Sequence, residues 1–134
     1  MMVTYLWVAL GSALGGMARF WIASFVTRLT GPTFPLGTLL INIGGSFVIG
    51  LFAYLTGEDG RFVVTPDIRI FVMVGVCGGF TTFSSFSLQT LELAQSGEFL
   101  RAGGYVVLSV SLCLLFVWLG YLAATSVNSR AAHF

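Results

Sequence analysis

Three long stretches of this chain, 36–55, 70–91 and 102–127, contain no Asp, Glu, Lys, Arg or His, and a fourth, 3–25, is interrupted only by Arg19. Each is long enough to form a helix of about 20 residues, the length that crosses the hydrocarbon of a bilayer. With 57% hydrophobic and 8% charged residues overall, the chain lacks the polar surface needed to wrap a water-exposed core. These features predict an all-α integral membrane protein with four transmembrane helices, forming one domain over residues 1–134. The connections carry the punctuation. Thr27 to Pro35 reads as a turn, TGEDGRFVVTPD as a solvated loop and AQSGEFLR as a polar link, and Pro32, Pro35 and Pro66 all fall at proposed boundaries, where a missing amide donor costs least.

The start, MMVTYLWVALG, has no basic region ahead of its apolar run, so the first helix is expected to be retained rather than cleaved as a signal. Cys77 and Cys113 lie deep in proposed spans without metal or redox spacing. They read as small packing residues. His133 stands alone in the tail and reads as solvated. Orientation normally follows the excess of Lys and Arg on cytoplasmic loops. Here there is no lysine; Arg61, Arg69 and Arg130 fall on one side, and Arg28 and Arg101 on the other, with Arg19 nearer to that second side. The balance leaves two readings open: a topology set by other factors, or dual topology with oppositely oriented copies paired.

Polar groups inside a bilayer must face other helices or a water-filled path, because exposure to lipid is costly. Three groups qualify. Thr38, Asn42, Ser46 and Gly50 recur every four residues and share a slowly drifting face of the second helix. Asn42 suits either hydrogen bonding across a helix contact or contact with a ligand. On the fourth helix Tyr105, Ser109 and Cys113 share a face. There the plain alternative for a serine is a bond back to the carbonyl four residues earlier.

The third group is GGFTTFSSF, 78–86. Its glycines and hydroxyls weaken a helix that its flanks would continue, which predicts a break between Gly78 and Thr82. Carbonyls released at such a break can hold a cation, while amides and hydroxyls can hold an anion. Phe80, Phe83 and Phe86 are three apart and would project into one space along a continuing helix. Their positive ring edges suit a small anion, although an aromatic packing ladder uses the same spacing. No Asp or Glu lies within any proposed span, which removes the usual device for proton coupling or for binding a cationic substrate. No nucleophile, base or metal constellation suggests an enzyme.

GTLLINIGGSFVIG (37–50) and GVCGGFTTFSSFSLQT (75–90), preceded by GSALGGMARF (11–20), are similar to signature segments of the Fluc/CrcB fluoride channel family. The resemblance extends over essentially the whole chain. It implies a passive, fluoride-selective channel of the bacterial inner membrane that exports F⁻ from the cytoplasm, and an antiparallel, dual-topology homodimer with two pores and a central structural Na⁺. By that resemblance Asn42, Phe83, Phe86, Tyr105 and Ser109 line the fluoride pathway, and Thr82 and Ser85 are additional donors. Gly78 and Thr81 offer backbone carbonyls to Na⁺, Arg19 is a structural or vestibule charge, and Phe80 is left to packing. Where the family has a hydroxyl on the fourth helix this chain has Cys113, a weaker donor. The alternatives are a small multidrug-type exporter, which needs a buried carboxylate, and a non-conducting membrane assembly subunit.

Overall fold

The computed structural model describes residues 2–131 and is entirely helical over its regular segments. His133 lies outside the described residues. Helix α1 covers Met2–Thr30 and α2 Leu36–Leu55. The third span, Pro66–Gln95, is a composite. It contains α3 (Pro66–Arg69), a π-helical segment (Ile70–Cys77), α4 (Gly78–Phe80) and, beyond an interruption, α5 (Phe83–Gln95). Helix α6 covers Phe99–Ala131. Four segments are thus long and apolar enough to cross a membrane, as the charge-free stretches predict.

The expected boundaries were too short at several ends. Helix α1 runs past Phe25 to Thr30, and its turn is confined to 31–35. Thr27 and Arg28 end the apolar stretch without breaking the backbone. The stop comes at Gly31, whose positive φ of 79° ends the helix while its N–H still reaches the Thr27 carbonyl at 2.9 Å. Pro66 likewise starts the third span earlier than Ile70. It occupies the first turn behind Thr65, whose hydroxyl accepts the Ile68 N–H at 3.4 Å. At about 1.5 Å per residue, helices of 29 and 33 residues exceed a hydrocarbon core of about 30 Å and reach into the headgroup layer.

Two glycine-lined crossings hold the bundle together. Helix α1 lies against the π-helical segment and α4. A Cβ on Gly11 would meet the Phe71 carbonyl oxygen at 2.6 Å and the Gly75 Cα at 2.8 Å, and one on Gly79 would meet the Ser12 carbonyl oxygen at 2.6 Å. Helix α2 lies against α6, where a Cβ on Gly50 would meet Val117 Cγ2 at 3.0 Å and one on Gly120 the Leu51 nitrogen at 2.7 Å. Lipid tails are as apolar as leucine, so helix association depends on such close backbone approach more than on hydrophobic burial. Gly50, the last member of the four-residue stripe on α2, therefore serves packing.

The 56–65 connection is tied down by side chains bonding to backbone. Arg69 Nη1 donates to the Thr56 carbonyl, to Thr56 Oγ1 at 2.7 Å and to the Ala53 carbonyl at 3.4 Å, at the C-terminal end of α2. A cation there also complements the helix dipole. From α6, Asn128 donates to the Tyr54 carbonyl at 3.1 Å and accepts the Arg61 N–H at 3.1 Å. Most of the outward surface stays apolar: Leu10, Leu14, Phe20, Trp21, Leu114 and Trp118 are all exposed, as befits contact with lipid or another membrane chain.

Because the atoms facing Gly11 are backbone and have little freedom to retreat, Gly11→Ala is expected to prise α1 from the third span. We expect a loss of about 1–3 kcal/mol, the usual scale of overpacking, read as a lower unfolding temperature in detergent. An unchanged transition would show that the crossing is looser than described.

Candidate functional site

The third span comes apart at two residues. Thr81 (φ −80°, ψ 156°) and Thr82 (φ −152°, ψ 109°) are extended, so the helix stops at Phe80 and restarts at Phe83. The interruption falls at the C-terminal edge of the 78–82 window expected from sequence; Gly78 and Gly79 themselves remain helical. Extended backbone within a bilayer needs partners, and Asn42 supplies them. Its Nδ2 donates to the Thr82 carbonyl at 3.1 Å, and its Oδ1 accepts the Thr82 N–H at 2.8 Å. One side-chain amide thus pairs with both backbone groups of Thr82. Of the two open readings for Asn42, the structure supplies the helix-to-helix hydrogen bond, directed at backbone rather than at another side chain.

Thr82 then restarts the helix. Its Oγ1 accepts the Ser85 N–H at 3.1 Å, as an N-cap hydroxyl does, and lies 3.0 Å from Ser85 Oγ and 3.3 Å from Ser84 Oγ. Thr81 turns the other way: its N–H and its Oγ1 both donate to the Cys77 carbonyl at 2.9 Å. With the Thr82 N–H on Asn42, the Gly78 carbonyl is without the partner that a continuous helix would give it.

On one side of the break, a hollow of about 210 Å³ is lined by Asn42, Phe83, Phe86, Ser109, Val110, Cys113 and Leu114. The Phe83 and Phe86 rings are 5.3 Å apart, tilted by 54°. Phe86 is buried, with 7% of its surface exposed, whereas Phe83 is 76% exposed. Ser109 is 5% exposed, and its Oγ has no hydrogen-bond partner. The back-bond to the carbonyl four residues earlier, the plain expectation for a membrane serine, is therefore not made. A buried hydroxyl without a partner carries a penalty of about 1–3 kcal/mol, and it retains capacity for a ligand.

Tyr105 does not line this hollow. It is fully buried in a cluster with Leu39, Ile43 and Phe86, 5.1 Å from the Phe86 ring and 5.4 Å from the Phe34 ring. Its hydroxyl donates to Gln89 Oε1 at 2.9 Å. The face shared by Tyr105, Ser109 and Cys113 is thus divided, the first residue sealed in the core and the other two facing the hollow.

The remaining candidates occupy other surfaces. A second hollow, of about 220 Å³, is lined by Arg19, Phe20, Ala23, Thr38, Ile41, Thr82, Ser85 and Gln89. A third, of about 200 Å³, contains Gly78 and Thr81 with Asn42, Gly45, Ser46, Ile49, Met73 and Cys77. Phe80 sits over Gly45, where a Cβ would meet its Cδ1 at 3.3 Å. The three phenylalanines therefore do not project together: the extended residues between Phe80 and Phe83 reset the helical phase, and the family-based assignment of Phe80 to packing fits its position. Gln89 is the residue the sequence reading passed over. Its signal was available, since an uncharged amide four residues beyond Ser85 places two polar groups on one face of α5.

Fold and site together define a multi-pass membrane protein whose third span is broken and whose break is held by an uncharged side chain. The family described as "CrcB-like protein, Camphor Resistance (CrcB)" matches residues 6–121, and the chain belongs to that family. Among its relatives is a protein of Methylocella silvestris, 62% identical over 124 residues, covering 92% of this chain and 95% of the relative. Another, from Paramagnetospirillum magneticum, is 60% identical over 127 residues, covering 95% and 99%. A third, from Rhodospirillum rubrum, is 58% identical over 126 residues, covering 94% and 98%. Each bears the name "Fluoride-specific ion channel FluC", the name of a channel rather than an enzyme.

Removing the amide should expose its structural role. Asn42→Ala leaves the Thr82 N–H without its partner, at about 1–3 kcal/mol for a buried group, removes a bond to the Thr82 carbonyl, and should lower the unfolding temperature in detergent. Asn42→Asp keeps the acceptor but loses the donor, so its ionised form should not restore stability. Wild-type stability in both variants would remove Asn42 from this role.

Proposed function

We propose that this chain forms a passive, fluoride-selective channel that lets F⁻ leave the cytoplasm across the bacterial inner membrane. The observation that carries this reading is the hollow beside the break, which Ser109, with its buried and unpaired hydroxyl, lines together with Asn42, Phe83 and Phe86. Fluoride is small and strongly hydrated, so a conducting site must replace its water with several donors and still release the ion. Uncharged donors and ring edges meet both needs. The fluoride-specific names of the relatives support the same choice of ion.

In this reading Phe83, Phe86, Ser109 and Asn42 border the path, with Thr82 and Ser85 as further donors around the break. Tyr105 acts from behind, through Phe86 and Gln89, rather than as a direct ligand. Arg19 is a vestibule charge: it shares a hollow with Thr38, Thr82, Ser85 and Gln89 and does not line the one between the phenylalanines. That separation suits conduction, since a fixed guanidinium at the narrow site would hold the anion too strongly for rapid exit.

The functional unit is an antiparallel, dual-topology homodimer with two pores. The evenly divided arginines support it, because neither side has the excess that fixes a single orientation. A structural Na⁺ at the twofold axis would take the Gly78 and Thr81 carbonyls of both copies. Diversion of the Thr82 N–H to Asn42 supports this donor set by leaving the Gly78 carbonyl free of that partner. The ion's charge in a low-dielectric setting would also favour nearby anions.

Protein reconstituted in liposomes is expected to release F⁻ and retain Cl⁻, as followed with ion-selective electrodes. Equal release of both ions, or of neither, would count against the proposal, the latter leaving a non-conducting assembly subunit. Phe83→Ile and Phe86→Ile keep bulk but remove the ring edge; loss of an interaction of about 1 kcal/mol should slow efflux several-fold. Replacing Na⁺ by N-methylglucamine throughout should weaken both efflux and dimerisation in detergent. Undiminished flux and assembly would take the Na⁺ role away from Gly78 and Thr81.

A further inference from the structure

The connection between the second and third spans carries opposite charges that do not pair with each other. A hollow of about 420 Å³ between the end of α2 and the start of the third span is lined by Thr56, Gly57, Glu58, Val63, Val64 and Arg69. Arg69 is half-buried, and its side-chain hydrogen bonds all leave from Nη1, toward the Ala53 and Thr56 carbonyls and Thr56 Oγ1. Its Nε and Nη2 have no partner among the described residues, and neither Arg69 nor Glu58 takes part in an ion pair there. We propose that this hollow binds the headgroup of phosphatidylethanolamine, with the Arg69 guanidinium on the phosphate and the Glu58 carboxylate on the ammonium. The proposal rests on the four membrane spans and not on the ion that the protein conducts.

Depth and chemistry both favour a lipid. The hollow lies where two spans meet their connection, with α2 ending at Leu55 and the third span starting at Pro66, which is the level of the headgroup layer. Basic pockets between spans at that level suit phospholipid headgroups. A guanidinium with one nitrogen committed to helix carbonyls can still give its other N–H groups to phosphate oxygens. Glu58 then selects among headgroups. An ethanolamine ammonium offers N–H donors to a carboxylate, whereas the methyl groups of choline offer none and a glycerol headgroup brings no positive charge. The wider segment also disfavours a purely anionic lipid, because residues 56–69 carry Glu58, Asp59 and Asp67 against only Arg61 and Arg69. Beside the hollow, Phe62 and Ile68 are exposed and Val63 is entirely so. Apolar side chains at this depth can bury themselves against the acyl chains of the bound lipid.

The test offers delipidated protein in detergent equal amounts of phosphatidylethanolamine, phosphatidylcholine and phosphatidylglycerol with identical acyl chains, and counts bound lipid by native mass spectrometry. Phosphatidylethanolamine should be retained about tenfold better than phosphatidylcholine, the scale of one charge-assisted hydrogen bond. Glu58 is exposed and its side chain makes no hydrogen bond among the described residues, so Glu58→Gln should fold as the wild type does. That variant should hold phosphatidylethanolamine no better than phosphatidylcholine. Arg69→Lys should weaken retention of all three lipids, since a compact ammonium cannot serve the α2 carbonyls and a phosphate together. Should Arg69→Lys fail to fold, Glu58→Gln decides the matter alone. Equal retention of phosphatidylethanolamine and phosphatidylcholine by the wild type, or an undiminished preference in Glu58→Gln, would overturn the proposal. So would a preference for phosphatidylglycerol, which would reduce the site to an attraction between Arg69 and any anionic lipid.

Discussion

The pairing of Asn42 with both backbone groups of Thr82 is the interaction on which the rest of the site depends. Backbone leaving helical geometry inside a bilayer forfeits its internal hydrogen bonds, and surrounding lipid offers no replacement. A side-chain amide has both a donor and an acceptor, so one residue on α2 can satisfy a residue on the third span in both directions at once. A hydroxyl would have to serve both groups from one oxygen, whereas the amide offers each its own atom. A carboxylate would lack the donor, and its charge would bring a desolvation penalty.

From that pairing the local arrangement follows. Held extended, Thr82 becomes the N-cap of α5, and α5 restarts with a phase unrelated to that of α4. Phe80 is therefore left against Gly45, while Phe83 and Phe86 face α6 and Ser109. Thr81, bonded back to Cys77, marks the end of the upper half-span, and the carbonyls around Gly78 are released on another surface. The glycine crossings make this feasible by fixing the helices on either side of the break. Gly11 and Gly75 lock α1 to the segment before the break, and Gly50 and Gly120 lock α2 to α6. The break thus lies between two tightly packed helix pairs and need not be held by Asn42 alone.

Much of the fold was legible in the sequence because charge and proline are unambiguous in a bilayer. Arg28, Glu58, Asp59, Glu92 and Arg101 sit at the margins of the spans, and the glycines and hydroxyls of 78–82 mark the interruption. Helix ends were less legible: hydropathy reports where lipid ends, whereas α1 continues until Gly31 adopts a positive φ. The π-helical stretch 70–77, which lies against α1, carried no signal, since its residues are ordinary helix formers for a membrane. Within the site, Asn42, Phe83, Phe86 and Ser109 could be nominated individually and through the resemblance to a known family. The division of all the candidates among three surfaces could not, because counting residues along a helix assumes one continuous phase. The same assumption grouped Phe80 with Phe83, whereas Tyr105, on the unbroken α6, is set apart from Ser109 by the cluster of Leu39, Ile43 and Phe86 that buries it. Gln89 was missed for a simpler reason: in a polar-sounding stretch of serines and threonines, a single amide four residues from Ser85 did not stand out.

The account reduces to whether Asn42 holds Thr82 while the helix around it is broken, and amide hydrogen exchange at Thr82 reads that most directly. In wild-type protein in a lipid nanodisc the Thr82 N–H should be protected although it lies outside any helix, and protection should be lost in Asn42→Ala while the amides of Gly75 and Phe86 keep theirs. A Thr82 amide that exchanges freely in the wild type, or one equally protected without Asn42, would contradict the arrangement described.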